Sequence, residues 1–232
     1  MVMFSIIVPT FNEEKTIGNT LKALKNQTFK DFEIIVKDGG STDRTIKIAK
    51  KYADKVVCKS DFSAADARNQ GAEYAKGVFL VFVDADTELP KDMLERFASL
   101  FQSNTGIVGG SCRKMPQDGD FIDRIIYEFV NISTFASYYL HIGGAHGNCM
   151  LIRKNVFKAI NGFNPKIKIA EEQELVRKAR RFGKFTFLLD TYVFESSRRI
   201  RTWGKLKLYM TWLLGTFQSF KITEKQEYEK VR

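Results

Sequence analysis

Asp84 and Asp86 stand one residue apart at the end of the apolar run Val78-Phe79-Leu80-Val81-Phe82-Val83. Side chains two apart on a strand share a face, so the two carboxylates are expected to converge where the run ends. Like charges that close repel unless a cation or a proton lies between them. A hard divalent ion, Mg²⁺ or Mn²⁺, suits such oxygen ligands and would bridge phosphates on a substrate. The competing reading is a loop entry with two solvated acids, Asp86 capping a helix from Pro90. The apolar run that feeds the pair weighs toward chemistry.

A second polar cluster follows another strand-like run: Lys37-Asp38-Gly39-Gly40-Ser41-Thr42-Asp43. Its two glycines let backbone approach a ligand closely, and Asp38 has the chemistry to accept hydrogen bonds from a base edge or a ribose. A turn with a helix cap is the plainer alternative. No Gly-x-Gly-x-x-Gly is present, so a dinucleotide site is poorly supported. The first strand also ends in polar residues, Pro9-Thr10-Phe11-Asn12-Glu13-Glu14. Three strand ends of this kind predict one crevice.

The elements that must position these groups alternate in type. Strands are expected at Phe4–Val8, Glu33–Lys37, Lys55–Cys58 and Val78–Val83, the last unalternated and so covered on both faces. Between them Glu13–Asn26, Thr42–Ala53 and Ser63–Ala75 carry apolar residues at helical spacing. This order predicts an α/β, doubly wound, mostly parallel open sheet with helices on both faces, where ligands bind at the carboxyl edge. Farther on, helices are expected at Pro90–Ser103, Asp120–Leu140 and Glu171–Phe182. Strands are expected at Gly106–Cys112, Cys149–Arg153 and Phe185–Leu189.

The chain has 232 residues, 44% of them hydrophobic and 28% charged, which excludes a disordered or collagen-like chain. Three cysteines, Cys58, Cys112 and Cys149, spell neither a zinc site nor a disulfide framework, so reduced thiols and a cytoplasmic setting are expected. Met1–Val8 reads as strand rather than leader, and no apolar run is long enough for a spanning helix. A net charge of +10 points to anionic partners: nucleic acid, phosphorylated small molecules or an anionic membrane surface.

Together these segments resemble the inverting family 2 glycosyltransferases of the GT-A fold. The resemblance rests on Ile6-Ile7-Val8-Pro9-Thr10-Phe11-Asn12-Glu13-Glu14, Asp38 to Asp43, Ala67-Arg68-Asn69-Gln70-Gly71-Ala72 and Asp84-Ala85-Asp86. Gly147-Asn148, Gly162-Phe163, Glu171-Glu172-Gln173-Glu174-Leu175 and Ser197-Arg198-Arg199 extend it to roughly Arg201. It implies a Rossmann-like GT-A domain over residues 1–195, with a nucleotide-binding half at about 1–103 and an acceptor half at about 104–195. A helical tail would occupy 196–232.

The resemblance also implies roles. Pro9, Thr10, Phe11, Glu13 and Asp38 would hold the nucleotide of a UDP- or GDP-sugar, with Asp38 facing the base. Arg68 would lie near the base and pyrophosphate, and Asp84-Ala85 at the ribose. Asp86 would ligate Mn²⁺ or Mg²⁺ directly, with Asp84 beside it. Glu172, paired with Glu171, would be the general base, where the family has Asp and this chain carries one more methylene. Without the resemblance, Glu171, Glu172 and Glu174 read as a favourable acidic first helical turn.

His146, Gly147 and Asn148 would lie over the donor sugar or the acceptor, a glycan or a lipid-linked molecule. Arg198 and Arg199 would grip phosphate. The basic and aromatic run from Ser196 is expected either to contact the cytoplasmic face of a membrane or to pack on the domain. A nucleotidyltransferase is the runner-up, but Asn12-Glu13-Glu14 stands where a Gly-rich basic loop would be needed. A nucleic-acid binder is disfavoured because the basic residues are scattered.

Overall fold

The computed structural model describes residues 2–60, 63–103, 106–140, 143–167 and 169–204, with Lys207, Met210, Thr211 and Leu214. The strands are β1 (Phe4–Thr10), β2 (Phe32–Asp38), β3 (Lys55–Cys58), β4 (Phe79–Val83), β5 (Thr87–Glu88), β6 (Ile107–Pro116), β7 (Cys149–Arg153) and β8 (Lys184–Glu195). The helices are α1 (Ile17–Lys25), α2 (Thr45–Ala49), α3 (Ala64–Glu73), α4 (Met93–Ser103), α5 (Phe121–Tyr139), α6 (Lys154–Ala159), α7 (Glu171–Ala179) and α8 (Arg198–Trp203). The eight strands form one sheet in the order β3-β2-β1-β4-β7-β6-β8-β5.

The apolar run of β4 shows why this sheet has two covered faces. Phe79, Val81 and Val83 enter one core with Phe4, Ile6, Leu21 and Phe97. Leu80 and Phe82 enter the other with Ile7, Ile35, Phe157 and Leu175. Alternate side chains of a strand point to opposite faces, so a run with no polar residue buries both.

β1 pairs in parallel with β2 and β4, β2 with β3, and β6 with β8. β7 is antiparallel to both β4 and β6, and β5 is antiparallel to β8. The sheet is therefore mixed: parallel in its first half, with β7 reversed at its centre. That reversal matters for the site. Cys149 pairs with Val83, so the amino end of β7 meets the carboxyl end of β4, and loop 143–148 lands beside Asp84.

Local chemistry sets several boundaries. α1 starts at Ile17 rather than Glu13 because residues 13–14 are used by a neighbouring loop. The Glu13 amide donates to Thr45 Oγ1 at 2.8 Å and the Glu14 amide to Asp43 Oδ2 at 3.1 Å. β8 runs to Glu195, longer than the apolar segment Phe185–Leu189 suggests, because β6 and β5 pair with its second half. β5 and α6 are too short to leave a periodic signal.

Packing continues past residue 195. Ile200 of α8 sits against Tyr127 and Met115, Arg201 pairs with Asp118, and the Ser196 amide donates to the Asp86 carbonyl at 3.1 Å. Beyond Gly204 most of the tail lies outside the described residues, and with it the expected membrane segment. Among the described residues no helix is long and apolar enough to cross a membrane.

Candidate active site

The carboxyl ends of β1 and β2 carry two loops that are bonded to each other. The Gly39 amide donates to the Thr10 carbonyl at 2.9 Å and the Asn12 amide to Ser41 Oγ at 2.8 Å. Asn12 Oδ1 accepts from the Thr42 amide at 2.9 Å. Asp38 is fully buried, and its Oδ2 accepts from the amides of Gly40 and Ser41, both at 2.8 Å. Its Oδ1 accepts from Ser41 Oγ. The carboxylate expected to face a base thus also shapes its own Gly-Gly-Ser turn.

α3 brings the cation. Its buried residues are mostly small, Ala65, Ala67, Gly71 and Ala72, so it lies close on the sheet and Arg68 is carried inward to 4% exposure. The next residue, Asn69, accepts from the Phe163 amide at 2.9 Å and donates to its carbonyl at 2.8 Å. A methyl group on Gly162 (φ +64°) would lie 2.5 Å from Asn69 Oδ1, so this turn requires glycine.

Arg68 is the hub of the site. Nη1 donates to Glu171. Nη2 donates to Asp84 Oδ1 at 2.8 Å and to the Gly147 carbonyl at 3.3 Å. One planar fork thereby joins the end of β4, the start of α7 and loop 143–148. Burial alone would lower the Arg68 pKa, but Asp84, Glu171 and Glu172 outweigh it and raise it, so the guanidinium stays charged.

α7 opens on strain: Ala170, just before it, adopts φ +58°, a left-handed conformation costly for a residue with a Cβ. Glu171 is 8% exposed and faces Arg68. Glu172 Oε1 accepts from Gln173 Nε2 at 3.3 Å. A methyl at Gly147 would lie 3.3 Å from Glu172 Oε2 and 3.6 Å from Arg68 Nη2, so a side chain there would press on the Glu172 carboxylate. Burial first, then the charge of Glu171, pushes the Glu172 pKa up to about 7, against the pull of Arg68. Glu174 faces away, paired with Lys178 at 3.1 Å.

The first signal of the sequence takes a different form in the structure. β4 ends at Val83, so strand alternation does not govern Asp84 and Asp86. Asp84 goes to Arg68, whereas Asp86 Oδ2 lies 3.5 Å from Arg198 Nη2. Arg198 in turn donates from both terminal nitrogens to Glu13, each at 2.9 Å. Ala85 is buried between them, its carbonyl accepting from Thr20 Oγ1 at 2.9 Å. Each acid of the pair thus has its own arginine. Among the described residues no three of His, Cys, Asp or Glu gather as a metal cage. Mg²⁺ and Mn²⁺ are commonly held by one or two carboxylates with phosphates and water, which is the role Asp84 and Asp86 fit.

Pro9 and Thr10 close β1, and Phe11 opens the loop that follows it. His146 and Asn148 are each 6% exposed, in the loop beside Glu172. Burial, then Lys114, lowers the His146 pKa well below its usual value, so the ring is neutral. The side chain of Arg199 lies outside the described residues. Two groups were not legible in the sequence. Gln173 accepts from the Gly144 amide and donates to the Ala145 carbonyl at 2.9 Å, holding the loop over Glu172. Glu195, buried at the end of β8, receives Tyr127, Asn148 and Lys114. Both follow long-range packing, for which a single sequence carries no signal.

A family model described as glycosyl transferase family 2 matches residues 5–160. The poly(ribitol-phosphate) β-N-acetylglucosaminyltransferase TarS of Staphylococcus aureus is 29% identical over 193 residues, covering 77% of this chain and 32% of TarS. A PGL/p-HBAD biosynthesis glycosyltransferase of Mycobacterium tuberculosis is 38% identical over 104 residues, covering 42% of this chain and 41% of that protein. The chain thus spans a third of the length of TarS. Residues 1–349 of TarS in complex with UDP-GlcNAc superpose with a TM-score of 0.68 at 25% identity, covering 84% of this chain and 58% of that one. The mannosyltransferase PcManGT of Pyrobaculum calidifontis, in complex with GDP-Man and Mn²⁺, gives a TM-score of 0.74 at 20% identity, covering 97% and 65%. That likeness is one of fold, the GT-A glycosyltransferase architecture.

Proposed function

Because the chain belongs to glycosyl transferase family 2, we propose that it transfers a sugar from a nucleoside-diphosphate donor to an acceptor hydroxyl or lipid phosphate, with inversion. The observation that carries this reading is the Arg68 fork, which holds the donor-side acid Asp84 and the acidic pair Glu171-Glu172 in one cluster. Transfer with inversion needs a base on the acceptor side while negative charge leaves on the other. Glu172 would take the acceptor proton on a carboxylate oxygen. Gln173 holds Glu172 Oε1, and Gly147 keeps side-chain bulk off Oε2. Glu171 anchors Arg68 and raises the basicity of Glu172.

The loops after β1 and β2 would seat the nucleotide. A divalent ion bound by Asp84 and Asp86 would neutralise the departing diphosphate. The TarS and PcManGT complexes, with UDP-GlcNAc and with GDP-Man and Mn²⁺, support UDP- or GDP-sugars as donors and Mn²⁺ as the ion to try first. A glycan or a lipid-linked acceptor is the class such a donor would serve.

A thermal-shift panel of UDP, GDP, UDP-GlcNAc and GDP-Man, each with and without Mn²⁺, tests this. At about 100 times Kd, a true donor should raise Tm by roughly 5–10 °C. Asp86→Ala should lose the Mn²⁺-dependent part and keep its fold, because Arg198 retains Glu13. No shift with any member of the panel would reject the reading.

Activity should also follow the state of Glu172. With a pKa near 7, kcat/KM should fall about tenfold per pH unit below neutrality and level off above it. Glu171→Gln keeps an acceptor for Arg68 but removes a neighbouring charge, so the acid limb should move to lower pH. A limb that stays in place in that variant would detach the titration from this pair.

A further inference from the structure

Glu195 lies at the centre of a buried polar group that the transfer chemistry leaves unused. It is 7% exposed; Tyr127, Lys114 and Asn148 around it are 0%, 7% and 6% exposed. Its Oε1 accepts from the Tyr127 hydroxyl at 2.7 Å. Its Oε2 accepts from Asn148 Nδ2 at 2.8 Å, with Lys114 Nζ at 3.4 Å. An ionised carboxylate can only accept hydrogen bonds. Asn148 must therefore turn its NH₂ toward Glu195, and its Oδ1 to the other side. That Oδ1 is buried and has no hydrogen-bond partner among the described residues, a state that costs free energy until a donor arrives.

We propose that Glu195 is a positioning residue that fixes the polarity of the Asn148 amide, so that Asn148 Oδ1 receives a hydroxyl of the transferred sugar. The proposal rests on the transferase reading. Asn148 is well placed for that role. Its carbonyl accepts from the Asp84 amide at 3.2 Å, and a Cβ at its neighbour Gly147 would come within 3.3 Å of Glu172 Oε2. A phosphate oxygen brings no proton at neutral pH, so a carbonyl lacking a donor selects a hydroxyl or N–H and not a phosphate. The Glu195 carboxylate, with Lys114 Nζ at 3.4 Å, offers the Asn148 NH₂ an acceptor and so keeps the amide from flipping.

The test compares the full chain with Asn148→Ala, Glu195→Gln and the double variant Lys114→Met/Glu195→Met. The double variant removes carboxylate and counter-cation together and leaves no buried charge unpaired. Each is assayed for hydrolysis or transfer with the panel donor that the wild type turns over, and with that donor's monodeoxy analogues. UDP or GDP affinity and Tm are measured alongside. The wild type should reject one monodeoxy donor by about 10-fold or more in kcat/KM. Asn148→Ala and the double variant should bring that ratio near one while nucleoside-diphosphate affinity holds. Glu195→Gln should fall at or between these limits, since its amide can face either way.

A merely structural Glu195 would lower all donors equally and leave the ratio intact, which would overturn the proposal. A wild type indifferent to every monodeoxy donor, or an unchanged ratio in Asn148→Ala, would assign Oδ1 to an internal water and also overturn it. Absence of any nucleotide-sugar binding by the wild type would instead reject the transferase reading itself.

Discussion

Glu172→Gln is expected to cost at least ~100-fold in transfer rate while donor affinity stays within about twofold. The amide keeps the size of the side chain and its contact with Gln173, but it cannot take a proton. The same change should stabilise the protein. With its pKa pushed up to about 7 from an ordinary 4.5, Glu172 binds a proton more tightly folded than unfolded. The penalty for ionising it is absent below about pH 4.5, grows up to pH 7 and is constant above. Glu172→Gln should therefore raise Tm by a few degrees at pH 8 and leave it unchanged at pH 4.5. Loss of activity with a gain in stability is the signature of a group held in an unfavourable state for chemistry. Near wild-type transfer would move the base elsewhere, and a Tm gain equal at both pH values would remove burial as its cause.

How far the sequence reaches toward this arrangement depends on the range of the interaction. β3 and β7 fall at the residues expected from short β-branched or apolar runs, and β4 declares its two covered faces through Phe79–Val83. Such signals are local. The reversal of β7 is not: Cys149–Arg153 reads the same in either direction, and only its pairing with β4 and β6 fixes it. The site divides likewise. Asp84 stands out by type and spacing, and Arg68, Glu171 and Glu172 only through the family resemblance, yet nothing in either says that one guanidinium serves two of the acids. For Asp38 the sequence offered a ligand contact or a turn, and only the structure shows the turn amides bonding back to it. Arg198, expected at phosphate, pairs with Glu13 and Asp86, partners its spacing in the sequence does not announce. Glu195 and Gln173 carried no signal because their partners are dozens of residues away.

Arg68→Met is expected to have the other large effect, on stability as much as on rate. Arg68 is buried with Asp84 and Glu171 on its two terminal nitrogens, and methionine keeps some bulk but no donor. Breaking a buried pair from one side costs about 3–5 kcal/mol because the remaining charges are left uncompensated. For a chain of this size that corresponds to a Tm loss on the order of 10 °C. Adding Glu171→Gln should restore part of the loss, since one of the stranded charges is then gone. Lysine at 68 should fall between, because a compact ammonium cannot fork to two carboxylates. A readout that general destabilisation would not produce comes from pH. Arg68 pulls the Glu172 pKa down, so whatever transfer survives in Arg68→Met should have its acid limb moved above pH 7. Arg68→Met with Tm within about 2 °C of wild type, or with an unmoved limb, would mean that the fork does not couple the donor acid to the base.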